Sequence, residues 1–162
     1  IGARKNCAAT DSYFQRLEGD LHNLYPAIGE VNADRSNYRY SEWNAAPGMY
    51  GRCPAVVDSS SRRMQPPDFA RGIVARANLY MAERYHLRLA QREKTLFELW
   101  HERFPPDKLE CRRNALIAYV TGTANPFVEE ACRARGLIIK LTHAETSALD
   151  DTVRRLRLKN GS

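Results

Sequence analysis

The sequence predicts a mostly helical α+β fold. Apolar residues recur at helical spacing through most of the chain, while short alternating or apolar runs sit between stretches rich in Pro, Gly and Ser. Two Pro-Pro-Asp steps, at Pro66-Pro67-Asp68 and Pro105-Pro106-Asp107, each stop one element and start a helix.

In chain order, Asp11 to Asn23 reads as one helix, capped by Asp11 or Thr10 and carrying Phe14, Leu17 and Leu21. A short second helix is expected from Pro26, with Ile28 and Val31 facing the core. Asn37 to Trp43 alternates, with Tyr38, Tyr40 and Glu42 on one face and Arg39, Ser41 and Trp43 on the other, which predicts a short strand. Asn44 to Pro67 is loop-like apart from a short strand at Ala55-Val56-Val57, and Ser59 to Arg63 reads as a solvated loop. After Pro67 the spacing predicts a helix with Phe69, Ile73, Ala77 and Tyr80 on its buried stripe, flanked by Ala70, Val74 and Met81. A further helix begins near Gln91 and aligns Leu96, Leu99, Trp100 and Phe104. The next presents Leu109, Leu116, Ile117 and Val120 and ends at Gly122. Leu137 to Leu141 reads as a strand. Thr142-His143-Ala144-Glu145 has the form of a capping box before a last helix with Leu149, Val153 and Leu156 as its stripe.

A chain of 162 residues fits one compact domain, and 43% hydrophobic with 27% charged residues is ordinary for a globular protein. No apolar run approaches the roughly 18 residues of a membrane span. The first residues, Ile1-Gly2-Ala3-Arg4-Lys5, carry no apolar signal core and no Met, so the chain reads as a mature or trimmed product. The net charge of +6 attracts polyanions, of which nucleic acid is the commonest. Cys7, Cys53, Cys111 and Cys132 form no C-x-x-C pair, which argues against structural zinc. Their even number fits two disulfides in an exported protein or four reduced thiols, and no pairing is preferred.

The polar residues that could carry chemistry lie in EGDLHNLYPAIGEVNADRSNYRYSEW, Glu18 to Trp43. Glu18 and His22 are four apart and would share a helical face, where such a pair is most often structural. Asn32 falls inside a short helix, a position its type disfavours. Its amide oxygen could serve a hard cation, or simply bond to backbone.

This stretch resembles the endonuclease I family of bacterial periplasmic and secreted nucleases. Arg4-Lys5-Asn6-Cys7 resembles the family's G-R-K-N-C segment, with Ala3 in place of the usual Gly. Pro66 to Gly72 with Ala75-Arg76 and Leu79-Tyr80-Met81, Leu109 to Arg113, and Asn125 to Val128 extend the likeness over residues 3 to 132. The resemblance implies a ββα-metal (His-Me finger) fold, α+β and mostly helical with a small antiparallel sheet. It implies Mg²⁺, or another divalent cation such as Ca²⁺ or Mn²⁺, and hydrolysis of DNA, with RNA a second substrate, at little sequence specificity. Asn32 matches the helix-borne metal ligand, Glu18 an acidic partner of the catalytic histidine, and Arg4 an arginine that grips phosphate. Lys5 and Arg35 are further candidates for contact with the nucleic-acid backbone.

The likeness also has gaps. The family's general base and second metal ligand sit on an E-H-V-V-P-like strand upstream of R-K-N-C, and this sequence contains no E-H-x-x-P. His22, His86 and His101 do not match it, and His143 fits the capping box better. Thr123-Ala124 replaces polar residues expected before Asn125. The expected organisation is an N-terminally incomplete nuclease domain at residues 1–132 and a basic extension at 133–162, packed on the domain. The expected protein is a monomeric endonuclease, periplasmic or secreted, impaired in this chain by the missing base. The competing expectations are a non-catalytic nucleic-acid- or partner-binding module, and a toxin domain with an immunity protein as inhibitor.

Overall fold

The computed structural model describes residues 8–160, with side chains to residue 156. The chain divides into two compact units at Pro105 and Pro106.

The first unit opens with α1, Ser12–Glu18, whose N-terminal amides at Tyr13 and Phe14 are capped by the Asp11 carboxylate. The helix expected to run to Asn23 is interrupted at Gly19. Asp20 starts a separate 3₁₀ turn, Leu21–Asn23, by accepting the His22 amide on one oxygen. Its other oxygen accepts the hydroxyls of Tyr80 and Tyr85, at 2.9 and 2.8 Å. One carboxylate therefore ends the first helix and pins the chain to a later one. Both phenols are shifted upward, first by burial and then by Asp20, Tyr85 to about 12.

Helix α2 spans Gly29–Arg35, starting three residues after the expected Pro26. Ile28 is its N-cap and is 57% exposed, so it does not face the core as expected. Val31 does pack, against a cluster of Ala55, Val57 and Met64 that Tyr38 and Tyr40 also cover. Strand β1 is only Arg39–Tyr40, shorter than the alternation predicts. Beyond it the Trp43 amide turns to the Gln65 side-chain oxygen, which ends the ladder.

Strands β2, Val56–Asp58, and β3, Arg63–Gln65, form a hairpin. The sequence reading placed β3 partly in a solvated loop. Asp58 overrides that reading: its carboxylate accepts from the Ser60 hydroxyl, the Ser61 amide and Arg63 Nε, and so reverses the chain. These donors hold the Asp58 carboxyl far below the usual carboxylate range, the Ser60 hydroxyl contributing most. The sheet order is β1-β3-β2, with β3 antiparallel to β2 and parallel to β1. The small sheet is thus mixed rather than wholly antiparallel, because the hairpin reversal returns β3 in the direction of β1.

Helices α3, Asp68–Arg84, and α4, Gln91–Arg103, complete this unit. The C-terminal part of the expected stripe on α3 is buried, at Ala77, Tyr80 and Met81, together with Gly72, Ala75, Arg76 and Leu79, whereas Phe69 at its N-terminal end is 76% exposed. In α4, Phe97 and Trp100 are buried while Leu99 is exposed. Hydrophobicity alone selects Phe69 and Ile73, but close helix contact selects the small residues.

In the second unit α5, Lys108–Thr121, is capped by Asp107 and ends at Gly122, whose φ of 74° suits glycine. Helix α6, Pro126–Ala134, starts at Asn125, whose amide donates to the Asn114 side-chain oxygen at 2.8 Å. A buried Cys111–Cys132 disulfide joins α5 to α6. Cys53 forms no disulfide among the described residues, and Cys7 lies outside them. Leu137 to Leu141 is not a strand. Leu137 and Ile139 pack beside the disulfide instead, with no neighbouring strand to pair with. The last helix, α7, His143–Asn160, has the expected capping box: the Thr142 amide donates to Glu145, and the Glu145 amide to the Thr142 hydroxyl. Ion pairing of Arg112 with Glu145 and donation from the Tyr119 hydroxyl to Asp150 tie α7 to α5.

The disulfide closes a loop with a sequence separation of 21. A Cys111→Ala/Cys132→Ala double variant is expected to lose about 3 kcal/mol of unfolding free energy by the loop-closure relation. Urea titration checks this, and an unchanged midpoint would show that the bond adds nothing.

Candidate metal and nucleic-acid site

A groove of about 480 Å³ opens in the first unit, between α2, the sheet and the N-terminal half of α3. Its walls are mainly apolar, with Ile28, Val31, Phe69 and Ile73 among them. The N-terminal part of the stripe expected to be core on α3, Phe69 and Ile73, therefore lines this opening. Asn32 and Arg35 supply its polar edge on α2. Three residues apart, they share one helix face.

The exposed Asn32 side chain accepts no hydrogen bond from the described residues, so its amide oxygen is available. Arg35 is held differently. Its guanidinium carbon lies 4.4 Å from the centre of the Tyr40 ring, and its buried Nε has no hydrogen-bond partner. Burial pushes the Tyr40 hydroxyl upward, and Arg35 works against that shift. The adjacent Asp34 accepts from the Tyr50 hydroxyl at 2.9 Å, and Arg35 has no carboxylate partner among the described residues. Burial and Asp34 together push Tyr50 to about 12. Ser36 ends the helix in the left-handed region, φ 48°, and turns the chain into β1 beneath Arg35.

The structure brings Asn32 and Arg35 to one groove. Glu18, half-buried at the end of α1, is not among the residues lining it. Arg4 and Lys5 lie outside the described residues. His22 is 2% exposed and sits edge-on to Tyr80, with ring centres 4.8 Å apart. Because the chain breaks at Gly19 and Asp20, Glu18 and His22 do not share a continuous helical face as the spacing predicts. Among the described residues, no histidine lines the groove.

Among the described residues, no group of three His, Cys, Asp or Glu side chains could form a metal cage. Asn32 offers one neutral oxygen instead. That donor suits a hard cation that retains several waters and completes its shell on phosphate oxygens, as Mg²⁺ does, and suits zinc poorly.

Two supporting residues escaped the sequence reading. Tyr40 was placed on a strand face but not as the platform for Arg35. Glu42 was only a face position, yet it accepts from Arg71 and from Trp100 Nε1, each at 2.8 Å, and from Arg103 at 3.2 Å. Aromatic residues flanking Arg-rich segments are the only sequence signal for the former; the latter has none, since its partners lie 29, 58 and 61 residues away.

The endonuclease I family model matches residues 7–132. The chain is 50% identical over 133 residues to an extracellular deoxyribonuclease of Aeromonas hydrophila, covering 82% of this chain and 57% of that protein. It is 51% identical over 133 residues to a periplasmic deoxyribonuclease of the same organism, covering 82% and 56%. It is 41% identical over 131 residues to Endonuclease-1 of Buchnera aphidicola subsp. Acyrthosiphon pisum (strain APS), covering 81% and 52%. The chain thus spans about half the length of these relatives.

Proposed function

The chain belongs to the endonuclease I family, and we propose that it acts in metal-dependent hydrolysis of DNA in the periplasm or outside the cell. The observation that carries this reading is the presence at one groove of an Asn32 amide and an Arg35 guanidinium, neither of which has a hydrogen-bonded or carboxylate partner among the described residues. The names of the relatives support DNA as substrate and an exported location.

In this reading Asn32 holds a divalent cation, Mg²⁺ in the first instance, through its amide oxygen. When bound there, the cation would supply neutralisation of the negative charge on a backbone phosphate. Arg35 binds backbone phosphate beside Asn32, its guanidinium kept flat by Tyr40. Arg4 and Lys5 extend that grip, and Glu18 would orient the water-activating histidine of the E-H strand, which no histidine of this chain matches. RNA offers the same phosphodiester and is the second substrate to assay.

Plasmid nicking with Mg²⁺, with and without EDTA, tests the reading. EDTA should abolish cutting, and Asn32→Ala should lower it by about 100-fold or more. Nicking by Asn32→Ala at the parental rate would remove the metal role.

A second reading, a nucleic-acid-binding module without catalysis, is favoured by the lack of histidine in the groove. The two readings share one prediction: the 162-residue chain alone cuts more slowly than the Aeromonas enzymes, by about 10²–10⁴ if a general base is absent. Single-turnover rates on one duplex check it. Equal rates would show that a residue of this chain serves as base, and binding without any cutting would select the second reading.

A further inference from the structure

Resting on the nuclease reading, we propose that Arg35 and Arg62, stacked on neighbouring aromatic rings, form a phosphate-binding track that leads nucleic acid from the Asn32 groove along edge strand β1. Three arginines cover three aromatic residues of one short segment. Arg62 lies over Tyr38 at 5.5 Å, Arg35 over Tyr40 at 4.4 Å and Arg63 over Trp43 at 4.3 Å. Their charges are not equally available. Arg63 is paired with Asp58 at 3.0 Å, and Arg39 faces Glu93 at 3.9 Å. Arg62 donates only to the neutral Asn37 side-chain oxygen, and Arg35 has no carboxylate partner among the described residues. The two uncompensated cations are therefore the two above Tyr38 and Tyr40.

Their spacing fits a sugar-phosphate backbone. Tyr38 and Tyr40 are two residues apart in extended chain and point to the same side, which sets their rings about 7 Å apart along the strand. Consecutive phosphates of one nucleic-acid strand are separated by a similar distance. Stacking on a ring fixes the guanidinium plane while leaving its edge N–H groups free to donate, so each arginine meets phosphate with little side-chain entropy left to lose. Arg62 also adopts φ 50°, a left-handed conformation unfavourable for a side chain of its size. The hairpin thus holds an exposed arginine at its tip at some conformational cost. Two carboxylates of the same elements are occupied: Asp34 by Tyr50, and Asp58 by Ser60, Ser61 and Arg63. Asn32 lies at one end and the β2–β3 turn at the other, so the track adds contacts beyond the scissile phosphate and reads no sequence.

The test is duplex DNA binding by fluorescence anisotropy in EDTA, which blocks cutting, between about 50 and 200 mM salt. The slope of log K against log salt should fall in magnitude by about 0.9 for Arg62→Gln and by about twice that for Arg35→Gln/Arg62→Gln. Arg62→Lys, which keeps the charge, should retain most of the slope. Arg133→Gln, whose residue is paired with Glu129 in the second unit, should leave it unchanged. Thermal melts identify variants that fail to fold, and Tyr38→Leu then replaces Arg62→Gln by removing the stacking platform; weaker binding is expected. A parental slope in Arg62→Gln, or an equal loss in Arg133→Gln, overturns the track while leaving the nuclease reading intact. A parent protein that neither binds nor cuts DNA overturns both.

Discussion

Replacing Gly72 with alanine is expected to destabilise the first unit by about 4 kcal/mol, enough to prevent folding of a marginal domain. A Cβ at Gly72 would lie 2.0 Å from the Phe104 carbonyl oxygen and 2.7 Å from an Arg76 terminal nitrogen. The first neighbour is backbone, so a side-chain rotation cannot relieve the clash. Arg76, 1% exposed, donates to that same Phe104 carbonyl at 2.9 Å. Pushing α3 away from the end of α4 would break this charge-assisted bond inside the packed interface. Overpacking accounts for about 1–3 kcal/mol and the lost bond to a charged group for about 1.5–3 kcal/mol. A helix interior normally favours alanine over glycine by about 1 kcal/mol, so the sign of the result is diagnostic. Chemical denaturation of the purified variant is the measurement. A Gly72→Ala protein as stable as its parent would show that the two helices do not meet at this point.

Glu42→Ala is expected to cost a similar amount, about 4 kcal/mol. Its carboxylate is the counter-charge for Arg71, whose side chain is only 8% exposed, and the acceptor for Nε1 of the fully buried Trp100. Removing it takes one of two carboxylates from a buried guanidinium and leaves one buried donor unpaired. Arg71 keeps Asp68 at 3.1 Å and the Pro66 carbonyl, which places the charge penalty near the low end of its range, about 3 kcal/mol. The orphaned indole N–H adds about 1 kcal/mol. Glu42→Gln keeps an acceptor and should recover part of the loss.

The same residue sets a pH dependence. Glu42 is held below its ordinary value of 4.5, first by the Trp100 hydrogen bond and then by Arg71 and Arg103, against the opposing effect of burial. The folded-state value is depressed, so its stabilisation is complete above the unfolded value near 4.5. It is lost as pH falls through the lower folded value. Urea midpoints measured from neutral pH downward should fall less steeply below about pH 4.5 in Glu42→Gln than in the parent. Parallel profiles would mean that Glu42 does not carry this term.

Much of this architecture was legible because it is encoded locally. Pro-Pro-Asp at residues 66–68 starts α3, Asp107 and Gly122 bound α5, and Thr142 with Glu145 caps α7. Each signal acts over one helical turn, so sequence proximity suffices. Asn32 was identifiable as a candidate because its motif resembles a family, and its place on a short helix followed from spacing. What failed to read were features made by contacts across long separations. Hydrophobicity made Phe69 a core residue, but Gly72 and Arg76 take the helix interface and Phe69 borders the groove. The run Leu137 to Ile139 had strand composition, yet a strand needs a partner and the disulfide cluster offered packing instead.

The sequence by itself determined the family, the mainly helical α+β class, the starts of α1, α3, α4, α5 and α7, and the identity of Asn32 and Arg35 as candidates. These rest on local backbone chemistry and on motif identity, both written in consecutive residues. Only the tertiary structure decided that β3 forms the centre of a mixed sheet, that Glu42 unites Arg71, Trp100 and Arg103, and that Arg35 lies over Tyr40 at the groove that Asn32 also lines. Those outcomes depend on which distant groups satisfy a buried charge or donor, a competition settled when the whole chain packs.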